Sequence, residues 1–206
     1  MDFWLTKYKM LIEVADEASK SPEWSDYAAF CLSRERGLRR EAFRALERFI
    51  TSLESTPFCE RRRFVSWLMH ITDGWEDGEL AVPHQLRIRL VVPTLREWTR
   101  IEPQNSEPFR WLGGYEELKH ALELNSNDQI ARRRLLAMIV NGMEYETHEL
   151  PYGYVGDGPE EGLAALDEAE ELLERLPTAD VTVIATKISE MRSRIQSFLR
   201  NRNHQR

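Results

Sequence analysis

The chain has few of the residues that mark disulfide-rich, β-rich or membrane-spanning proteins. It contains two cysteines, nine prolines and ten glycines in 206 residues. Two cysteines are too few for a disulfide framework and lack the clustered spacing of a metal site, so we interpret Cys31 and Cys59 as reduced, buried, small hydrophobic residues. No run approaches the roughly 20 apolar residues of a membrane span. The charged N-terminal segment is unlike a signal peptide, and together these absences predict a cytoplasmic protein with no membrane partner.

Composition and charge narrow the class of protein further. Charged residues make up 31% of the chain and hydrophobic residues 42%, which is typical of a globular protein and not of a disordered one. The formal net charge is −7, so attraction to nucleic acid or to anionic lipid is disfavoured. A chain of this length forms one domain or two small ones.

Apolar residues recur every third or fourth position along almost the whole chain, which is the period of a helix. The only β-branched run, Val181 to Ile184, continues into such a stripe, and Pro93 should kink or split the helix that contains it. We therefore predict an all-α fold of about nine helices in antiparallel pairs, stacked as a degenerate solenoid or curved bundle. Residues 1–206 form a single domain that can be subdivided into a helical bundle (1–103), helix pairs (104–200) and a disordered basic tail (201–206).

Two segments in the second half of the chain resemble the tetratricopeptide repeat. YEELKHALELN (115–125) and the stretch Leu166 to Pro177 are similar to the second helix of that repeat, with Pro177 where the repeat proline falls. Trp111, Leu112 and Gly113 resemble the Trp-x-x-Leu-Gly of its first helix, in a compressed form close to Tyr115. The resemblance spans roughly residues 111–177 and implies a stack of helix-turn-helix units with a protein-binding role.

The strongest charge signal lies between Glu144 and Glu174, where the chain has eleven acidic residues and neither Lys nor Arg. One interpretation is a negative surface that attracts a basic protein partner and speeds the encounter. The other is a solvated helix face, in which Glu160 and Glu161 favour a first helical turn through the helix dipole.

The loop from His148 to Gly158 places two tyrosines among glycines and a proline. It offers rigid, half-polar contact area for a partner, or it is a packed connection whose tyrosines cover the core. It lacks the pattern of a phosphate-binding loop. Combined with the acidic segment, it gives seven predicted binding residues: His148, Glu149, Tyr152, Tyr154, Asp157, Glu160 and Glu161.

A metal-dependent or small-molecule-dependent enzyme centred on residues 144–158 is the alternative hypothesis. Glu144 and His148 lie one helical turn apart, which is a workable ligand spacing, and Glu146 and Glu149 are neighbours. The set lacks both the His-Glu-x-x-His motif and a second ligand pair. No cysteine or serine stands in the setting of a nucleophile, so we predict no catalytic residue and no cofactor.

Two basic clusters, Arg61 to Arg63 and Arg132 to Arg134, lie on helices that also carry core residues. A nucleic-acid site would need them joined into one patch on a basic background, so we predict ion pairs with acidic residues of adjacent helices. The function that the sequence favours is a non-enzymatic protein-interaction module. Its concrete form is a bacterial adaptor or immunity-type inhibitor that binds a basic protein such as a nuclease toxin, with self-association as a homodimer as the third alternative.

Overall fold

A computed structural model describes residues 3–75, 78–150, 152–177 and 181–204, without the side chains of residues 3–8 and 203–204. These residues form helices joined by turns and contain no β-strand, which confirms the predicted all-α class. If the continuous rod from His84 to Ile101 is counted once, the described part of the chain has ten helices, close to the nine predicted. The chain divides into two compact units, Met1–Pro103 and Gln104–Arg206.

The first unit is a bundle of antiparallel helices with short connections. Gly37 follows the second helix with a φ of +74°, a conformation that favours glycine at a sharp turn. The α-helices are α1 (Phe3–Ser19), α2 (Ser25–Glu35), α3 (Arg39–Glu54), α4 (Phe58–Thr72), α5 (His84–Leu86) and α6 (Val92–Ile101), with 3-10 turns at Pro22–Trp24 and Gly78–Leu80.

Aromatic rings fill the core of this first unit. The Phe64 ring packs edge-on against Phe49 at 4.6 Å and against Tyr27 at 5.0 Å between ring centroids. Tyr27 is fully buried, and its hydroxyl donates to the carbonyl oxygen of Ala81 at 2.7 Å. The only polar atom of this ring therefore has a partner, so the cluster gains apolar contact without leaving a buried donor unsatisfied.

Pro93, which was predicted to kink or split its helix, directly follows a π-helical turn and the first residue of α6. A π-helical turn, Arg87–Val91, joins α5 to α6, and Val92 donates its N–H to the carbonyl of Arg87, five residues earlier. Proline has no N–H to donate and its ring crowds the preceding turn, and the wider turn accommodates it without ending the rod. The turn carries Arg89, which forms ion pairs with Glu47 at 2.8 Å and Glu54 at 2.9 Å.

The two cysteines differ in environment. Cys31 is buried, as predicted, whereas Cys59 is exposed, and the prediction that it is buried is wrong. Cys59 lies nine residues before Leu68 on α4, which at about 3.6 residues per turn places it on the opposite face from that core residue. An apolar neighbourhood in the sequence does not show which face of the first helical turn is covered.

The first basic cluster forms ion pairs, as predicted. Arg61 binds Glu97 at 2.6 Å, Arg62 binds Glu102, and Arg63 binds Glu23. The guanidinium groups of Arg62 and Arg63 also lie over the rings of Trp98 and Trp24, at 5.1 and 5.2 Å from the centroids. These arginines join neighbouring helices, and their charge is largely offset within the unit.

The second unit consists of five helices, each packed against the next along the chain, with α11 also against α9. Their shared core includes Leu118, Leu135, Leu166, Ile188 and Ile195. The last helix continues to His204, whereas the sequence placed a disordered tail at 201–206; residues 205–206 lie outside the described residues. The helices are α7 (Ser106–Leu112), α8 (Tyr115–Leu124), α9 (Gln129–Thr147), α10 (Pro159–Glu174) and α11 (Val181–His204).

A buried ion pair connects α7 to the start of α9. Asp128 caps α9 by accepting the N–H of Ala131 at 3.0 Å, and it also accepts from Arg110 at 3.0 Å. The Asp128 side chain is 1% exposed and the Arg110 side chain 13%. The Arg110 guanidinium also lies 4.9 Å from the centroid of the Trp111 ring. One carboxylate therefore serves as both a helix cap and an interhelical contact.

We predict that Asp128→Ala destabilises the second unit strongly, because it removes the cap and leaves Arg110 without its buried carboxylate. The expected loss is about 3–5 kcal/mol in the free energy of unfolding, measured by urea denaturation. The neighbouring exposed substitution Asn127→Ala is the control and should change this value by less than about 0.5 kcal/mol. Equal effects of the two substitutions would contradict this role for Asp128.

Candidate functional site

The predicted binding residues lie on one continuous segment of the second unit. His148 follows the last residue of α9, and Glu160 and Glu161 occupy the first turn of α10. The Val155 N–H donates to the Glu146 carbonyl at 3.2 Å, so the connecting loop folds back over the end of α9. We call this region the acidic surface: Tyr145, His148, Glu149, Tyr152, Tyr154, Asp157, Glu160 and Glu161.

Tyr152 projects from the acidic surface with almost no contact to the rest of the chain. Tyr152 is 93% exposed. Its N–H nevertheless donates to the Glu149 carbonyl at 2.8 Å, and the Gly153 N–H donates to the same oxygen at 3.2 Å. The loop therefore presents an aromatic ring to solvent from an ordered turn.

A second exposed ring stands on the last turns of α9. Tyr145 is 67% exposed, and its ring stacks on the His148 ring at 5.3 Å between centroids. The sequence analysis did not single out Tyr145. Its position was available from the helical period, because Met143 and Thr147 are buried on the other side of α9 and leave Tyr145 and His148 on the outer face.

Tyr154 has a different environment from Tyr152. It is partly buried, and its hydroxyl donates to a Glu146 carboxylate oxygen at 2.6 Å. Burial and then this hydrogen bond raise the pKa of the Tyr154 phenol well above its ordinary value. The predicted alternative of a tyrosine laid over the core thus describes Tyr154, while Tyr152 is free for contact with a partner.

Two glycines allow this packing of the loop. A Cβ on Gly162 would lie 2.1 Å from the Tyr154 hydroxyl oxygen and 3.0 Å from the Met143 methyl carbon. A Cβ on Gly156, whose φ is +127°, would lie 2.8 Å from the Glu146 carboxyl carbon. Both positions need the absence of a side chain for the loop to approach the helices.

Negative charge is distributed unevenly over the acidic segment. Along the middle of α10, Arg192 of α11 binds Asp167 at 2.7 Å and Glu170 at 3.0 Å, and Lys119 of α8 lies 3.5 Å from Glu168. Within the described part of the chain, Asp157, Glu160 and Glu161 have no ion pair with Lys or Arg. Among the described residues, acidic side chains without a Lys or Arg partner therefore lie at the loop and the first turn of α10, and also at its last turn in Glu171 and Glu174.

The candidate metal ligands are engaged in separate contacts. Glu144 binds Lys187 at 2.6 Å, Glu146 accepts from Tyr154, and His148 Nε2 lies 3.1 Å from Glu149. His148 Nδ1 faces the carbonyl oxygen of Tyr145. Among the described residues, no three His, Cys, Asp or Glu side chains converge in a group that could hold a metal ion. The metal-dependent enzyme stays a hypothesis, and nothing in this geometry favours it.

No family model, curated protein or solved structure matches the chain. The resemblance to the tetratricopeptide repeat therefore rests on residues 111–177 and stays a prediction. In the described parts of the chain, no helix has both the length and the apolar character needed to cross a bilayer.

We predict that Gly162→Ala destabilises the second unit by about 1–3 kcal/mol, because the new methyl group displaces Tyr154. Gly142→Ala on α9 is the matched control. A Cβ there meets nothing within 4 Å, so the better helix propensity of alanine should stabilise the chain by about 1 kcal/mol.

Adding Tyr154→Phe to Gly162→Ala should recover part of the lost free energy of unfolding, because it removes the hydroxyl oxygen that lies 2.1 Å from the new Cβ. Tyr154→Phe alone should cost about 1 kcal/mol, because it removes a hydrogen bond. Urea unfolding of the four variants measures these effects. A stabilising Gly162→Ala would show that Tyr154 is not held against α10.

Proposed function

We propose that this chain is a non-enzymatic protein-binding module, an adaptor or immunity-type inhibitor, whose acidic surface captures a basic region of a protein partner. The observation that carries the proposal is the exposure of Tyr152, at 93%, although its own N–H and that of Gly153 are hydrogen-bonded to the Glu149 carbonyl. A ring held out in this way has no role in the core of its own unit.

Exposed tyrosines are effective anchors for a partner. Each ring offers a large apolar area and a hydroxyl group, and it loses little side-chain entropy on binding because it has only two rotatable bonds. Tyrosine is also among the residues that contribute most to measured binding energies. Tyr145, stacked on His148, supplies a second ring on the same surface.

The carboxylates of the acidic surface indicate that the partner carries positive charge. Asp157 and Glu161 lie near Tyr154, whose pKa their charges help to raise, and with Glu160 they have no Lys or Arg partner among the described residues. Charge of one sign around an aromatic centre attracts an opposite charge and raises the association rate, while the rings contribute most to slow dissociation. This arrangement supports a basic protein, such as a nuclease, as the partner.

Capture of proteins from a lysate of the native organism tests this proposal. The immobilised wild-type chain should retain basic proteins, and the retained fraction should fall steeply when salt is raised from about 0.15 M to about 1 M, because the Debye length shortens from about 8 Å to about 3 Å. Tyr145→Ala with Tyr152→Ala should reduce retention about tenfold or more at constant salt, as expected for the loss of two anchors.

Charge-matched triple variants separate a specific surface from net charge. Asp157→Asn, Glu160→Gln and Glu161→Gln should lower capture about tenfold. Asp16→Asn, Glu41→Gln and Glu79→Gln change three exposed acidic residues of the first unit by the same total charge and should leave capture unchanged. Salt-indifferent capture, or equal losses in the two triple variants, would contradict a specific acidic surface.

A further inference from the structure

An apolar groove runs along the second unit between α9, the end of α10 and the start of α11. Its volume is about 510 Å³, within the range of sites that hold small molecules. Leu136, Val140 and Leu173 are buried and form its floor. Leu176, Val181 and Ile184 are partly exposed and form its walls, and Val183 at its edge is 69% exposed. An open depression of this composition leaves apolar area in water that a ligand could cover.

The charged side chains among the described residues that line this groove are of one sign. Arg133 on α9 and Lys187 on α11 both lie along it, with the Asn141 amide as a further polar group. No Asp or Glu lines it among the described residues, although the chain carries a net charge of −7. A cationic rim above an apolar floor is complementary to a molecule with an apolar body and an anionic head.

The volume and the length of the groove both fit a small molecule. Along α9 the lining runs from Arg133 to Asn141, which at about 1.5 Å per residue is about 12 Å. That distance is little more than two helical turns. It is enough for an alkyl chain of moderate length.

We propose that this groove binds a small amphiphile with an anionic head, such as a carboxylate-headed alkyl chain, and that the head lies at Lys187. Lys187 stands at the Asn141 end of the groove, because its Nζ lies 2.6 Å from Glu144, one turn further along α9. This pair is exposed, with side-chain accessibilities of 48% and 44%. Pairs of that kind contribute little energy, so an anion can replace Glu144 as the partner of the ammonium group.

A series of ligands with the same alkyl chain and different head groups tests which charge the groove prefers in its ligand. Laurate and dodecyltrimethylammonium below their micelle concentrations, and dodecan-1-ol below its solubility limit, are titrated against the full chain with bound 1-anilinonaphthalene-8-sulfonate as the fluorescent competitor. Laurate should displace the dye at about tenfold lower concentration than the alcohol, and the cation should be weakest. Non-specific attraction to a negatively charged chain would give the opposite order, so that order would overturn the proposal.

Substitutions within the groove test its location. Ala137→Trp fills the groove and should abolish laurate binding, whereas Ala164→Trp, an equally exposed substitution on α10 outside the lining, should leave it intact. Melting temperatures of the two variants show whether each remains folded. Equal affinities in both folded variants would place the ligand elsewhere and overturn the assignment.

Two substitutions test whether the anionic head of the ligand lies at Lys187. Lys187→Gln should weaken laurate about tenfold, and Glu144→Gln should strengthen it, because the carboxylate that competes with the head is removed. A Glu144→Gln variant that binds laurate no more tightly would refute head placement at Lys187. The proposal does not depend on the acidic surface: Tyr145→Ala with Tyr152→Ala should leave laurate binding unchanged.

Discussion

The geometry of the acidic surface depends on one close contact, between the Tyr154 hydroxyl and the backbone of α10 at Gly162. There is no room for even one methyl group at that point, and the same hydroxyl donates to Glu146 on α9. Tyr154 therefore fastens the loop to both helices at once. The partly buried Tyr154 and the exposed Tyr152, two residues earlier, therefore have different roles in the same loop.

Negative charge is distributed less evenly over the second unit than its sequence indicates. Eleven acidic residues without Lys or Arg suggest a uniformly negative face, but Arg192 and Lys119 reach in from α11 and α8 and offset the middle of α10. The acidic residues left without such a partner are those of the loop and the first turn of α10, together with Glu171 and Glu174 at its last turn. Elsewhere in the unit, Arg133 and Lys187 line an apolar groove that has no carboxylate among its described lining residues. Opposite ligand preferences can therefore coexist on one small domain, since screening limits each to its own neighbourhood.

Periodicity predicted the all-α class and the position of most helices, because burying one face of a helix constrains every third or fourth residue. It could not predict which of the two loop tyrosines is exposed. Tyr154 contacts Gly162 and Tyr152 does not, and that contact has no signal in the helical period. It also misplaced Cys59, whose apolar neighbours belong to the opposite face of α4. The groove was not predicted at all, since α9 and α11 are separated by α10 in the chain and their shared depression has no local pattern in the sequence.

The two proposed sites meet at a single ion pair, and its strength decides whether they influence each other. Glu144 lies one turn from His148 of the acidic surface, and it holds Lys187 of the groove at 2.6 Å. An anion that takes over Lys187 would leave Glu144 as an additional carboxylate beside the basic partner, and by linkage the partner would favour the anion equally. Because the pair is nearly half exposed on both sides, this coupling is below about 1 kcal/mol. The acidic surface and the groove should therefore bind their ligands almost independently.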